Sequence, residues 1–371
     1  MPVATDSSAL ARALAADGLA GSRWTLPEGP LEGSAWPRLM AVVEEQRLAG
    51  LLLQAIHGGR MPVTPEQLES ASVLHRTAMG LAVQLERTLL QTVETLDGAG
   101  IPSRVLKGPA VAHLVYPDPS LRVFHDVDLM VPGEDFDRAI EVLDHAGCTR
   151  KHRRLGPGFD AQFGKGASLI SHAGWEVDLH RTFVNGRFGL GIKLDDLFAT
   201  SSSFRLGGRT LLALGPEERF LHACYHAAIG DPVPRLVAMR DIAEMLLRTS
   251  LDLDRVRGLC SAWGGLPVMA RAVRLTWEAF GLADLTALSV WAERYQPSKS
   301  EARAVRAYTT QRSGGGQALT SLGAIPGIRA KVTFIRAVML PEREFLDGKR
   351  RRAWARRGAR SAFRLIRKSR P

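Results

Sequence analysis

Val123-Phe124-His125-Asp126-Val127-Asp128-Leu129-Met130-Val131 sets two carboxylates one residue apart inside an apolar run. In an extended strand successive side chains alternate between faces, so Asp126 and Asp128 share one face while Val127 and Leu129 take the other. Adjacent acids repel, and an apolar strand solvates them poorly unless a cation compensates them. A hard divalent ion such as Mg²⁺ is held by one or two carboxylates together with substrate phosphates. The pattern points toward phosphoryl or nucleotidyl transfer. For a D-x-D pair in isolation, an edge strand with one wet face is the simpler reading, so the surrounding chain decides.

Upstream, Arg104-Val105-Leu106 reads as a short apolar strand running into Lys107-Gly108-Pro109-Ala110 and a helix to about His113 or Leu114. A glycine at a strand-to-helix junction lets the backbone approach a phosphate, and the helix start presents free N–H groups. Lys107 adds a point charge suited to a triphosphate. Tyr116-Pro117-Asp118-Pro119-Ser120, with two prolines so close, is excluded from regular structure. Downstream, 134–146 has helical spacing and ends at Gly147, a suitable C-cap. Ser168–Ser171 and Trp175–His180 then read as strands flanking His172-Ala173-Gly174. In Glu176-Val177-Asp178-Leu179-His180 the polar residues again share one face. Placed beside the first strand, Asp178 becomes a third carboxylate, as a pair of metal ions about 3.5–4 Å apart requires. An ordinary amphipathic strand is the alternative.

The order Leu106-Lys107-Gly108, Tyr116, Arg122, Asp126-Val127-Asp128-Leu129, a helix ending at Gly147, then Val177-Asp178-Leu179-His180 resembles the uncharacterised bacterial nucleotidyltransferase family with a polymerase-β-like fold. The similarity runs over roughly 100–250 and takes in Leu221-His222, His226 and Arg240-Asp241-Ile242. The resemblance implies that Asp126, Asp128 and Asp178 are catalytic metal ligands and that Gly108 belongs to the nucleotide-binding turn. It places Lys107 and Arg122 where the family carries basic residues, in a nucleotide-phosphate role. One departure stands out: the usual Gly-Ser or Gly-Gly shortly before the acids is replaced by Lys107-Gly108-Pro109, with Gly108 eighteen residues ahead of Asp126.

Several histidines need weighing. His180 falls on the Asp178 face, where it could orient a ligand or act as base, a hydrogen-bonded strand histidine being the simpler reading, whereas His125 falls opposite Asp126. His222 and His226, four apart, share a helical face, but Ala223-Cys224-Tyr225 between them lacks the Glu a zinc protease needs. Packing, or lining the acceptor side of the cleft, is the simpler role. Asp231 and Asp241 read as structural in the same way, Asp241 as a helix-surface or interface acid.

The 371 residues, 45% apolar and 23% charged, suit a globular protein of two or three domains. No apolar run is long enough to span a bilayer, Met1-Pro2-Val3-Ala4-Thr5-Asp6 lacks the charged and apolar regions expected of a secretory signal, and Cys148, Cys224 and Cys260 are too scattered for a disulfide framework. These features predict a cytoplasmic location. Of the net charge of +11, the stretch 342–371 holds twelve Lys/Arg against three Asp/Glu, a net of +9, which leaves +2 for the rest. The body is nearly neutral, and the basic tail suits a solvated or partner-docking helix better than sequence-specific nucleic-acid recognition.

The expected architecture is α+β. A small mixed-sheet nucleotidyltransferase core over 101–215 follows an N-terminal helical region, 1–100. A helical domain at 216–312, a flexible linker at 313–327 and a basic helical tail at 328–371 complete it. Within 1–100 the pattern predicts one helix over 36–57 and another opening at Thr64-Pro65-Glu66-Gln67, a capping box with a first-position proline. The expected chemistry is Mg²⁺-dependent (or Mn²⁺-dependent) transfer of a nucleoside monophosphate from an NTP, ATP among the candidates, to an acceptor hydroxyl or phosphate. A peptide or small-molecule biosynthetic intermediate is the favoured acceptor. Two other classes stay open. A non-catalytic scaffold of the same fold would bind no metal or NTP. An RNA-directed enzyme gripping its acceptor through the tail would show a steep salt dependence.

Overall fold

The computed structural model describes residues 6–152, 158–231, 233–283, 286–310 and 320–339. The N-terminal region folds into α1 (Ser7–Ala16), α2 (Ala35–Gln46), α3 (Ala49–His57) and the long α4 (Pro65–Gly98). The capping box forms as the sequence predicts: Gln67 N–H donates to Thr64 Oγ1 at 3.3 Å, and Thr64 N–H donates to Gln67 Oε1 at 3.2 Å. Thr64→Ala removes one of these bonds and is expected to lower stability by about 1 kcal/mol, read as a shifted denaturant midpoint.

The helix expected over 36–57 is in fact two. Arg47 adopts a left-handed conformation (φ 61°), the only non-glycine residue with positive φ among those described. Its N–H and that of Leu48 close back on Glu44 and Val43, and Leu48 is driven into the core. Without a glycine or proline at the break, apolar periodicity alone runs straight through it.

Seven strands form one mixed sheet. They are β1 (Arg104–Val105), β2 (Val127–Met130), β3 (Thr149–Arg150), β4 (Gly166–Ile170), β5 (Glu176–His180), β6 (Ser201–Leu206) and β7 (Arg209–Leu214), in the order β3-β4-β5-β2-β1-β7-β6. The β2–β5 and β1–β7 pairs are parallel and the others antiparallel. The β6–β7 hairpin adds two strands to those expected from the sequence; it turns at Gly207-Gly208, a recognised turn signal between two alternating runs. In the proline-rich stretch before β2, Pro119–Leu121 makes a single 3₁₀ turn, with Asp118 accepting the Ser120 N–H at 2.8 Å.

Alternation along β2 and β5 decides what each face touches. Val127, Leu129, Val177 and Leu179 enter a core built with Leu85, Leu89 and Leu96 of α4 and with Phe136, Ile140 and Leu143 of α6 (Phe136–His145). The other face, carrying Asp128, Asp178, Met130 and His180, looks toward the larger core of the helical region. Between the strands run α5 (Pro109–Val115) and the short α7 (Phe159–Phe163), α8 (Arg187–Leu190) and α9 (Asp196–Ala199), and the helical region includes α10 (Pro216–Tyr225), which runs on as a π turn over His226–Gly230, and α11 (Leu236–Arg248). The acids therefore lie between sheet and helices. Mixed α+β architecture agrees with the sequence reading.

Residues 313–319 of the expected linker and the tail from 340 lie outside the described residues. Within 320–327, Ile325 is buried against Phe163 and Phe334. Among the described residues no helix is long and apolar enough to cross a membrane.

Candidate active site

Parallel pairing of β2 with β5 sets Asp128 directly opposite Asp178, with Met130 opposite His180. One oxygen of Asp128, one of Asp178 and one ring nitrogen of His180 all lie within 4.8 Å of one another. Asp128 is fully buried, and His180 Nε2 sits 3.0 Å from its Oδ1. Asp178 is half-buried and accepts a short hydrogen bond from the Ser168 hydroxyl, across the β4–β5 register. Asp126, just before β2, retains a quarter of its side-chain exposure and forms the solvent edge of the group.

Lys107 reaches this cluster from the junction after β1. Its Nζ lies 3.1 Å from Asp126 Oδ2 and 3.0 Å from Asp128 Oδ2, so one ammonium is shared by both acids. Gly108 follows with φ +56°, a left-handed conformation that favours glycine, and caps α5 (Pro109–Val115). A Cβ there would meet the Phe124 side chain at 3.4 Å. Lys107 thus links Asp126 to Asp128, while the group whose donor atoms lie within 4.8 Å of one another is Asp128, Asp178 and His180, without Asp126.

Electrostatics follow from this packing. Burial opposes ionisation of Asp126, but Lys107 and then Arg47 outweigh it and hold the carboxyl well below the usual carboxylate range. For Asp128 burial dominates and pushes the carboxyl up, against the pull of Lys107. Burial also opposes the Lys107 charge, and the two carboxylates more than restore it, keeping the ammonium protonated. Burial lowers His180, His222 and His226 well below the ordinary histidine value, so all three imidazoles are neutral near pH 7.

The remaining predicted residues fall at graded distances. His222 is buried with its ring edge-on to His180, centroids 6.5 Å apart, and packs on Phe183 at 4.9 Å. His226 is half-buried on the π turn, one helical turn beyond His222. Arg122 is 3% exposed, donating through Nη2 to Asp241 Oδ2 at 2.7 Å, through Nε to Oδ1 at 3.3 Å and through Nη1 to Val123 O at 3.3 Å. The Tyr116 hydroxyl donates to the same Asp241 at 2.9 Å. His125 is exposed.

Three residues escaped sequence reasoning. Arg47 Nη1 lies 3.9 Å from Asp126 Oδ1, delivered by the left-handed turn between α2 and α3. Lys165, just before β4, adds positive potential at Asp128 and His180. Ser168 is set opposite Asp178 by strand register. Each is remote from the D-x-D run in sequence, and no local motif marks it.

The donor set fits a divalent cation. Asp128 Oδ2 is buried with Lys107 Nζ at 3.0 Å, and buried His180 Nδ1 makes no well-directed hydrogen bond among the described residues. Asp128 Oδ2 is thus already compensated by an ammonium, and it is the two facing carboxylates with an imidazole beside them that offer a divalent ion its donors.

Two solved structures are similar at low identity. One is the antibiotic-resistance factor ANT(2'')-Ia, at 16% identity and a TM-score of 0.33, covering 50% of this chain and 92% of that one. The other is an antigenic nucleotidyltransferase-like protein from Paracoccidioides brasiliensis, at 16% identity and a TM-score of 0.31, covering 57% and 96%. No curated protein matches the chain. The model of the uncharacterised nucleotidyltransferase family matches residues 32–281, well over half of the sequence, and the chain belongs to that family of nucleotidyl-group transferases.

Proposed function

We propose that the protein transfers a nucleoside monophosphate from an NTP to an acceptor hydroxyl or phosphate at the Asp126–Asp128–Asp178 cluster, with Mg²⁺ as the working ion and Mn²⁺ as a substitute. The observation that carries this reading is the register: Asp128 and Asp178 face each other on parallel strands, with Asp126 beside them and Lys107-Gly108 at the adjoining strand-to-helix turn. Asp126, Asp128 and Asp178 would hold the ion, and His180, 3.0 Å from Asp128, fixes that carboxylate's orientation. A bound divalent ion supplies positive charge that stabilises the phosphoryl transition state and activates the attacking oxygen.

The protein's own groups do the positioning. The turn at Gly108 leaves room for the triphosphate beside the first N–H groups of α5, and Lys107 contributes a cation to it. The acceptor oxygen bonds to the α-phosphorus, the bond to the β-phosphate oxygen breaks, and pyrophosphate leaves with that electron pair. The acceptor proton passes to Asp178. Arg122 acts here as a positioning residue, tying the approach to β2 onto α11 through Asp241. His222 and His226 flank the acceptor side. The division into a catalytic core at 101–215 and a helical domain at 216–312, with a peptide or small molecule as acceptor, belongs to the same proposal.

Calorimetric titration with NTPs, with and without Mg²⁺, tests it. Metal-dependent binding by the wild type and its loss in Asp126→Ala/Asp128→Ala, with circular dichroism unchanged, is the expected result. A folded wild type that binds no NTP in Mg²⁺ overturns the reading in favour of a non-catalytic scaffold.

A further inference from the structure

The ammonium of Lys107 stands between the two carboxylates that the proposed function assigns to a divalent ion. A small cation bridging Asp126 Oδ2 and Asp128 Oδ2 would need the place that Nζ fills, 3.1 and 3.0 Å from those atoms. Two cations do not share such a position without strong repulsion. Resting on that functional reading, we propose that Lys107 is an exchangeable counter-ion: it neutralises the acid pair until metal and nucleotide arrive together, then transfers its ammonium to the triphosphate.

The surroundings make the exchange workable. The lysine side chain is a flexible four-carbon stem ending in a point charge, so it can swing without disturbing the backbone. It leaves from the residue directly before Gly108, which places it beside the turn proposed to receive the phosphates. Among the described residues the other cation in an ion pair with these acids is Arg47, which reaches Asp126 at 3.9 Å. Charge balance also favours exchange over simple addition. With Lys107 bound, Asp126 and Asp128 are already offset by one ammonium and by the potential of Arg47 and Lys165. A free divalent ion therefore meets a partly neutralised site, whereas an ion carried by a triphosphate brings negative charge that draws the ammonium away. The consequence is ordered loading: weak affinity for the bare ion, and strong affinity for the metal–nucleotide pair.

Mn²⁺ alone is the probe, its free concentration followed by electron paramagnetic resonance on the full-length wild type and on Lys107→Met, Lys107→Gln and Lys107→Arg. The expected result is at least tenfold tighter Mn²⁺ binding by the Met and Gln variants than by wild type, with Arg staying weak. Mn²⁺ should also raise the unfolding midpoint of the Met and Gln variants more than that of wild type. In the presence of a non-hydrolysable NTP the order should reverse, with wild type the tightest binder. Unchanged or weaker Mn²⁺ binding by folded Met and Gln variants, while wild type still binds Mn²⁺ with NTP, overturns the counter-ion role alone. Failure of every protein to bind Mn²⁺ with or without NTP overturns the functional reading with it.

Discussion

Asp128→Asn is expected to abolish nucleotidyl transfer, lowering kcat by at least about 10³-fold, or roughly 4 kcal/mol of transition-state stabilisation. Asn is nearly isosteric and retains an acceptor for the His180 ring 3.0 Å away, so the local packing survives. What it removes is the negative charge that faces the Lys107 ammonium at 3.0 Å and lies beside Asp178 and His180. Stability is expected to change little. The buried carboxylate is costly to ionise, as the upward push of burial on Asp128 indicates, and the amide relieves that cost while giving up one ion pair. Steady-state kinetics and thermal melts of the purified variant check both parts. Activity within tenfold of wild type in a folded Asp128→Asn protein would sink the assignment. Asp126→Asn, at the solvent edge, is expected to be similarly inactive, and the double variant no worse than either single one, because the two carboxylates act as a unit.

The largest stability effect is expected at a residue outside the acid cluster. Asp241→Ala should destabilise the fold by about 3–5 kcal/mol, because it leaves the Arg122 guanidinium buried without its counter-charge and the Tyr116 hydroxyl without its acceptor. Burial by itself would weaken the Arg122 charge; Asp241 more than offsets this, and the cost of deleting Asp241 has the same origin. The comparison with Arg122→Met/Asp241→Leu is the decisive one. Replacing both charges with apolar groups removes the uncompensated ion, so the double variant should recover most of the lost stability. Urea unfolding of the three proteins reads this directly. An Asp241→Ala protein with a wild-type midpoint would show that the pair does not tie the strand approach to α11. Because Arg122 leads into Val123-Phe124-His125-Asp126, the double variant should remain folded but lose activity through misplacement of the acids.

How much of the site can be read from the chain depends on the kind of signal. The faces of β2 and β5 follow from a period of two, and Val127, Leu129, Val177 and Leu179 do enter one core while Asp128 and Asp178 face away from it. The capping box at Thr64 and Gln67 is equally local, and it forms. Arg47 marks the opposite case. Its left-handed turn carries no glycine, so nothing in 36–57 announces that the helix breaks or that a cation is swung toward Asp126. Such a residue costs about 1 kcal/mol in backbone strain, tolerated only because the surrounding packing fixes it. Arg122 shows a third pattern: the resemblance marks the position, and the fold sets the side chain against Asp241, 119 residues away.

The sequence by itself determined the strand that carries the acids, the face they occupy, the glycine turn ahead of them and the α+β class, because each depends on residues within a few positions of one another. Tertiary structure alone decided that Asp178 lies opposite Asp128, that Lys107 is shared between two carboxylates, that Ser168 and His180 complete the polar group, and that Arg122 turns toward α11. Those are long-range pairings fixed by strand order and by the helices packed over the sheet. The loop-closure entropy and desolvation that select them are properties of the whole fold, to which no short stretch of sequence has access.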